Sequence, residues 1–201
     1  MKTNRDISIL LLNAIKRSNL QIALPLSGTG IRGIRFLLEL KEGKIKQISF
    51  NDHSEKATSF IKQNMKKNKI SSKNITISTK DANKFMIDST GFDYIDIDPF
   101  GTPNPFLDSA IRRLSRKSIL AVTATDTSAL CGTYPNSCLR KYWANHKSNP
   151  IMHELGLRIL IRKVQLVAAQ YGKALTPIFS YAKDHYMRVF FNCEKSKELT
   201  N

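Results

Sequence analysis

Residues 96–101 (DIDPFG) place a carboxylate, a proline and an aromatic ring directly after an apolar run. The exocyclic amine of a nucleobase has its lone pair delocalised into the ring, so a fixed acceptor must localise it before the nitrogen can attack a methyl donor. We expect the Asp98 carboxylate and a backbone carbonyl next to Pro99 to accept the two N–H bonds, while the Phe100 ring stacks on the base. The segment therefore predicts a nucleobase methyltransferase. A plain strand end, with an Asp-Pro turn before a helix, is the alternative interpretation.

The rest of the chain alternates between strand-like and helix-like patterns. Strands are predicted at residues 21–26, 45–50, 75–78, 92–97 and 118–123, and helices at residues 31–41, 54–69, 105–114 and 151–171. Asn4 is the expected cap of a first helix. Residues 174–182 and 186–193 flank a turn and predict a hairpin that ends the sheet. The expected fold is α/β: a Rossmann-like class I S-adenosylmethionine-dependent methyltransferase fold, with a mostly parallel sheet and an antiparallel last strand.

A glycine turn, residues 28–33 (GTGIRG), follows the first predicted strand. Gly28 and Gly30 would let the backbone approach a nucleotide-like ligand closely. Asp52 ends the second strand, where a carboxylate can accept bonds from both ribose hydroxyls, although NAD would satisfy that equally well. Asp81 and the backbone of Ala82 follow the third strand and suit an adenine. The set favours S-adenosylmethionine, which needs no pyrophosphate site. Taken singly, either carboxylate could be a helix cap or a solvated turn residue.

The composition narrows the choice of partners. The 32 basic and 16 acidic residues leave a net charge of +16, which favours nucleic acid over an anionic membrane. The length of 201 residues predicts a single domain over residues 1–201, with an N-terminal helix in residues 1–18 and a substrate-facing half in residues 98–201. No apolar run approaches the roughly 20 residues of a membrane span, and no signal-peptide core is found, so we expect a cytoplasmic protein without a membrane partner. The three cysteines contain no C-x-x-C pair, which predicts reduced thiols and no metal.

A series of motifs along nearly the whole chain resembles the tRNA guanine-26 N2-dimethyltransferase family. The motifs are residues 4–6 (NRD), 27–35 (SGTGIRGIR), 51–52 (ND), 96–101, 123–132 (TATDTSALCG), 138–142 (CLRKY), 153–156 (HELG), 158–160 (RIL) and 183–186 (KDHY). The resemblance implies transfer of one or two methyl groups from S-adenosylmethionine to the N2 amine of a tRNA guanine where the D and anticodon arms meet. By motif position it implies that the cofactor is bound by Arg5, Arg32, Asp52, Asp81 and Ala82. It also implies that the guanine amine is held by Asp98, Pro99 and Phe100, and Arg5 is expected to help close the site.

The chain departs from the resembled pattern at both ends. From the resemblance we expect two segments of the family to be missing: the one that precedes the motif of residues 4–6 in relatives, and the C-terminal tRNA-binding domain that follows the last predicted strand. The zinc-binding cysteines of that domain in some relatives have no counterpart, since Cys193 stands alone. We therefore expect the phosphate contacts to come from this domain or from a second polypeptide.

Two groups of basic residues are candidates for those phosphate contacts. One group could equally be a solvated helix face, and it comprises Arg112, Arg113, Arg116, Lys117, Arg140 and Lys141. The lysine run is better interpreted as a solvated helix face, and it comprises Lys62, Lys66, Lys67, Lys69 and Lys73.

Three other functions stay open at this point. The chain could be a non-catalytic RNA-binding relative that kept the fold and lost turnover. It could be an amine methyltransferase acting on ribosomal RNA or on adenine in DNA. An NAD-dependent dehydrogenase is the weakest alternative, because nothing resembling a hydride-transfer acid or base pair stands out.

Overall fold

The computed structural model describes residues 1–71, 73–196 and 198–200. The chain divides into two compact units, one ending at Asp96 and the other beginning at Ile97. The elements in chain order are α1 (Lys2–Ala14), β1 (Leu20–Leu24), α2 (Ile31–Glu39), β2 (Ile45–Asp52), α3 (Glu55–Lys67), β3 (Ile75–Thr79), α4 (Ala82–Ile87), β4 (Phe92–Ile97), α5 (Asn104–Arg113), β5 (Leu114–Ala124), α6 (Thr127–Leu130), α7 (Pro135–Tyr142), α8 (Met152–Ala169), β6 (Lys173–Lys183) and β7 (Tyr186–Lys195). A short 3-10 helix, Glu198–Thr200, follows β7.

The first unit contains the parallel strands β1 to β4. β1 lies between β2 and β4, with Ile22 opposite Ile48 on one side and Tyr94 on the other, and β2 pairs in turn with β3. All three of these side chains are fully buried, as expected for parallel strands covered on both faces. Because parallel strands end at the same edge of a sheet, the loops after β1, β2 and β3 lie side by side.

The second unit contains an antiparallel arrangement. β7 pairs antiparallel with β5, with Val122 opposite Val189, and antiparallel with β6 along its other edge. The register of β6 against β7 shifts between Pro177 and Phe179. α8 packs on β6 and carries buried Leu160 and Val164.

The strands form a seven-stranded sheet in the order β3-β2-β1-β4-β5-β7-β6. The predicted fold class, mostly parallel with an antiparallel last strand, is confirmed. A dinucleotide-binding Rossmann sheet has the order 3-2-1-4-5-6 and no antiparallel strand inserted beside its fifth strand. The topology therefore favours the methyltransferase version of the fold over the dehydrogenase version.

Some local predictions were wrong. Asn4 is not a cap: α1 begins at Lys2 after Met1, and Asn4 is fully buried inside that helix. β5 begins at Leu114, directly after α5, rather than at residue 118. The short helices α4, α6 and α7, with 6, 4 and 8 residues, were not predicted, because they are too short to show repeated apolar spacing.

Two general features complete the fold. Within residues 1–71, 73–196 and 198–200, no helix is both long enough and apolar enough to cross a membrane, and no cluster of potential metal ligands is found. Cys131, Cys138 and Cys193 are buried free thiols. Burial raises the pKa of each thiol above its usual value, so these cysteines stay protonated and unreactive.

Candidate functional site

The glycine turn after β1 combines close packing with open space. A Cβ atom on Gly33 would lie 2.3 Å from the ring of Phe50 and 2.6 Å from Leu24, so only glycine lets α2 pack this closely on β1 and β2. Gly30 has a φ of 76° and precedes α2. A Cβ on Gly28, by contrast, would meet no described atom within 4 Å. The turn is therefore tightly held at Gly33 and open at Gly28, where a ligand can approach the backbone.

Asp52 fixes this turn from the end of β2. Its carboxylate accepts a hydrogen bond from the Gly28 N–H at 2.8 Å and another from the Ser54 N–H at 3.1 Å. The residue is only 8% exposed. Each carboxylate oxygen has a second lone pair, so Asp52 can also accept bonds from ligand hydroxyls.

Asn51 connects the loops after β1, β2 and β3, a role that the sequence analysis missed. Its Nδ2 donates to the carbonyl oxygens of Pro25 at 3.0 Å and Lys80 at 2.9 Å. Its Oδ1 accepts from Ser78 Oγ at 2.8 Å and from the Lys80 N–H at 3.2 Å. Asn51 is fully buried, so this single amide holds together the backbone that presents the glycine turn, Asp52 and Asp81.

Asp81 and Ala82 lie at the start of α4. Asp81 is exposed and caps the helix, accepting a hydrogen bond from the Lys84 N–H at 3.0 Å. Ala82 is the buried first residue of the helix, and the first N–H groups of a helix have no partner within it. The capping interpretation of Asp81 thus holds in this structure, and its predicted contact with an adenine stays a prediction.

The Arg32 guanidinium contacts other side chains of the protein, whereas a ligand-binding arginine was expected to face open space. Its Nη1 donates to Asn4 Oδ1 at 2.9 Å and forms an ion pair with Asp96 Oδ2 at 3.4 Å. Tyr94 donates from its hydroxyl to the same Asp96 oxygen at 2.7 Å. Arg32 therefore joins α1, α2 and β4, while Arg5 is half-buried on α1 next to Asn4. Cofactor binding by Arg5 and Arg32 stays a prediction.

Three consecutive residues of the DIDPFG segment differ in how far they are exposed to solvent. Asp98 is half-buried and Pro99 is buried, whereas the side chain of Phe100 is fully exposed. An exposed phenylalanine ring gains nothing from burial in the fold, and it leaves a flat apolar face available to a planar partner. This arrangement is suited to stacking on a base beside a carboxylate acceptor.

A hydrogen-bond network holds the segment from its C-terminal side. The Gly101 N–H donates to Thr125 Oγ1 at 2.6 Å, and the Thr125 N–H donates back to the Gly101 carbonyl at 2.9 Å. The buried hydroxyl of Tyr142 donates to Asp126 Oδ1 at 2.6 Å and lies 3.0 Å from Thr102 Oγ1. We call these five residues the loop-anchoring network.

Burial acts on the phenol of this network, and a lysine pairs with its carboxylate. Burial, together with the Asp126 carboxylate, raises the pKa of Tyr142 well above its usual value, so the phenol stays protonated and donates. Lys141 Nζ pairs with Asp126 Oδ2 at 3.1 Å, and the Lys141 carbonyl accepts a bond from Asn104 Nδ2 at 2.6 Å. The C-terminal end of α7 is thus bonded directly to the residues that follow the DIDPFG segment.

The predicted phosphate-binding residues are spread over the second unit. Arg140 and Lys141 lie in the last turn of α7, next to the loop-anchoring network. Arg112 and Arg113 lie in the last turn of α5, about 13 Å along the helix from Asn104 at 1.5 Å per residue. Arg116 and Lys117 lie near the start of β5. From Lys117 to the end of that strand is about 23 Å at 3.3 Å per residue, so this pair is remote from Phe100.

Comparison with solved structures defines the class of fold. Trm5b from Pyrococcus abyssi aligns with a TM-score of 0.65 at 13% identity, covering 96% of this chain and 48% of that one. Trm1 from Pyrococcus horikoshii, solved with S-adenosyl-L-methionine, aligns with a TM-score of 0.89 at 40% identity, covering 98% of this chain and 56% of that one. The fold is that of the class I methyltransferases.

The sequence comparisons identify the family. The model of the N2,N2-dimethylguanosine tRNA methyltransferase family matches residues 1–201, and the chain belongs to that family. The tRNA (guanine(26)-N(2)/guanine(27)-N(2))-dimethyltransferase of Aquifex aeolicus is 44% identical over 98% of this chain and 51% of its own length. The tRNA (guanine(26)-N(2))-dimethyltransferase of Methanobrevibacter smithii is 44% identical over the whole of this chain and 52% of its own length. This chain spans about half the length of these relatives.

Proposed function

We propose that this chain transfers methyl groups from S-adenosylmethionine to the exocyclic N2 amine of guanine 26 in tRNA. The observation that carries the proposal is the DIDPFG segment, in which a fully exposed Phe100 ring follows a half-buried Asp98 carboxylate. Membership of the family over residues 1–201 supports the assignment, and the relatives named above carry this activity in their names.

The first unit suits S-adenosylmethionine as the cofactor. Gly28 leaves open space, and the nearly buried Asp52 carboxylate lies beside it, as a ribose with its two hydroxyls requires. Asp81 and Ala82 follow β3 at the same sheet edge and would contact the adenine, while Arg5 and Arg32 complete the predicted set. When bound, S-adenosylmethionine supplies a methyl group on a positively charged sulfur.

The second unit would prepare the nucleophile. Asp98 accepts a hydrogen bond from the guanine amine as positive charge develops on the nitrogen, and the backbone next to Pro99 accepts the other. Phe100 stacks on the base and fixes its plane. These contacts align the amine with the methyl group for an in-line displacement. In well-oriented reactions such alignment can lower the activation free energy by about 7–11 kcal/mol.

The target guanine must first leave the tRNA stack. Extracting a base costs a few kcal/mol, and the cost is least where pairing is not of the Watson–Crick type. The net charge of +16 supplies attraction to the RNA backbone, to which the predicted Arg112, Arg113, Arg140 and Lys141 would contribute. Arg116 and Lys117 would contact phosphates only at a distance from the target base.

Two alternatives have become weaker, and three narrower expectations have no further support. The strand order argues against an NAD-dependent dehydrogenase, as described for the fold. The Asp52, Asp81 and Asp98 carboxylates argue against a non-catalytic relative. No comparison gives support for a second polypeptide, and the cytoplasmic location and single-domain organisation stay predictions. Because the name of the Aquifex aeolicus relative includes guanine 27, position 27 is the second candidate base.

The test is methyl transfer by the full chain from methyl-labelled S-adenosylmethionine to tRNA transcripts. Transcripts with adenine in place of guanine at position 26, at position 27 and at both positions identify the base. Asp98→Ala should lower the rate by about 10²–10³-fold, whereas Glu42→Ala, which removes an exposed carboxylate from the turn before β2, should leave it unchanged. Labelling that persists with both guanines replaced would refute the base assignment. Cofactor binding without any labelling would instead favour the RNA-binding alternative.

A further inference from the structure

Trp143 has an unusual backbone conformation for a large aromatic residue. It follows α7 with φ 57° and ψ 34°, in the left-handed region. Side chains with a Cβ atom crowd the following carbonyl there, so glycine or asparagine usually occupies such positions. The Trp143 side chain is nevertheless 54% exposed, so burial of the ring does not offset the strain. Strain of this kind is concentrated at functional sites.

One face of the indole is held by a buried cation. Lys163 on α8 is 6% exposed, and its Nζ lies 2.9 Å from the centre of the Trp143 ring. Among the described residues, Lys163 forms no ion pair or hydrogen bond, so the Trp143 ring is the group that faces its ammonium. Burial lowers the pKa of Lys163 below its usual value. The ammonium fixes the indole orientation through a cation–π contact, and the exposed remainder of the ring faces solvent.

The position of this ring is tied to the DIDPFG segment through its neighbours in the chain. Tyr142 precedes Trp143 and reaches Thr102, two residues after Phe100, through a contact of 3.0 Å. The Lys141 carbonyl accepts the bond from Asn104. Trp143 therefore follows directly after two residues that are bonded to Thr102 and Asn104, just beyond the segment expected to hold the target base.

We propose that Trp143 is a stacking platform for an unpaired nucleobase of the bound tRNA, next to the extracted guanine. This inference rests on the proposed function, which it extends by naming a second base contact. A nucleobase is the occupant that fits, because it presents a flat π-face to the indole and because the surroundings are basic. Arg140 and Lys147 are exposed within four residues of Trp143 in sequence, and the chain as a whole carries +16. Such a combination of aromatic ring and basic groove is how proteins bind single-stranded nucleic acid.

Trp143 is the single tryptophan of the chain, so tryptophan emission, excited selectively over that of the tyrosines, reports on this position alone. Stacking of a base on the indole should quench the emission, saturating with the tRNA concentration at which labelled tRNA binds in an anisotropy titration. The anisotropy titration is run on the same full-length chain with S-adenosylmethionine present.

Three variants test whether the Trp143 ring, and not the backbone conformation at this position, contributes to tRNA binding. Trp143→Ala and Trp143→Phe both keep an L-residue in the left-handed conformation, so they share its strain and differ only in the ring. Trp143→Ala should weaken tRNA binding about 5- to 150-fold, the range that corresponds to loss of one base–aromatic stack, and Trp143→Phe should restore most of the affinity. Tyr134→Ala removes another exposed aromatic, at the N-terminal end of α7, and should leave the affinity within about twofold.

The outcomes distinguish this inference from the proposed function. Saturable quenching together with the Ala and Phe pattern supports the platform. Binding and methylation of tRNA with unchanged emission, or with equal affinity for Trp143→Ala and the parent, would overturn the platform and leave the proposed function intact. Failure of labelled tRNA to bind would overturn both.

Discussion

Tyr142→Phe tests whether the loop-anchoring network positions the DIDPFG segment for reaction. The phenylalanine ring keeps the packing of a fully buried side chain and removes only the hydroxyl, which donates to Asp126 at 2.6 Å and lies 3.0 Å from Thr102. A hydrogen bond to a charged group contributes about 1.5–3 kcal/mol. Asp126 keeps its ion pair with Lys141, so we expect the lower part of that range, about 1.5–2 kcal/mol. The thermal midpoint should then fall by about 3–8 °C.

The effect on rate should be larger than the stability loss alone explains. At a temperature where the variant is fully folded, loosening the segment should displace Asp98 and Phe100, and a displacement of about 1 Å can lower the rate about 10²-fold. The assay is single-turnover methyl transfer at saturating tRNA and S-adenosylmethionine, with the dissociation constant of S-adenosylmethionine measured separately. That constant should not change, because the predicted cofactor-binding residues belong to the other unit.

Tyr94→Phe is the matched control. Tyr94 is also fully buried and also donates to a buried carboxylate, that of Asp96, at 2.7 Å. It should lower the thermal midpoint by a similar amount, and so it measures the loss of stability that follows from removing one buried tyrosine hydroxyl bonded to a carboxylate. If Tyr142→Phe lowers the midpoint but leaves the rate at the parent value, the network only stabilises the fold and the positioning argument is refuted.

Three further changes test the architecture of the first unit. Gly33→Ala should lower the free energy of unfolding by about 1–3 kcal/mol, because a Cβ there overlaps its neighbours on β1 and β2; denaturant unfolding measures it. Asn51→Leu should cost about 3 kcal/mol or more, because it leaves buried backbone groups without partners, and it should also raise the dissociation constant of S-adenosylmethionine. Arg35→Met should destabilise the chain near pH 7 but progressively less towards acid. Arg35 lowers the pKa of Asp6 and of Glu39, so the stability it adds is present above about pH 4.5 and is lost as pH falls through the lowered values.

Controls for these changes lie in the same unit. Gly43 has a φ of 75°, and a Cβ there would meet no described atom within 4 Å, so Gly43→Ala should show only the cost of backbone strain. An unfolding free energy for Gly33→Ala equal to that of the parent would contradict the packing argument. For Arg35→Met, a stability difference from the parent that stays constant from pH 7 to pH 3 would contradict the ion-pair argument.

The sequence predicted the features that depend on local pattern. Apolar runs bounded by glycine and polar turns located β4 with its observed bounds, Phe92–Ile97, and placed the other strands within a few residues, because alternation and burial leave a signal in consecutive residues. The hairpin of β6 and β7 was predicted from the turn between its strands. The family motifs covered nearly the whole chain, and the family is confirmed.

The contacts between distant segments could not be predicted in the same way. The roles of Asn51, Tyr142 and Asp126 depend on hydrogen bonds between residues that are 16 to 40 positions apart, and nothing in the spacing of the letters specifies them. Asn4 was predicted to cap a helix because asparagine is a common capping residue. Its side chain instead accepts a hydrogen bond from Arg32 on the next helix. The site roles of the predicted residues stay predictions until they are tested by the assays above.

The outer edge of the sheet has features that oppose pairing with a strand of another molecule. β6 is the last strand in the order, and a strand with an open edge invites pairing with a strand of another molecule. Pro177 has no N–H to offer, and the register shift beside it interrupts the regular spacing that an added strand would need. The exposed Lys183 ends the strand and adds a positive charge to this edge, which further opposes pairing with another strand. Exposed Ile178 and Phe179 are therefore tolerated on a strand that discourages amyloid-like growth.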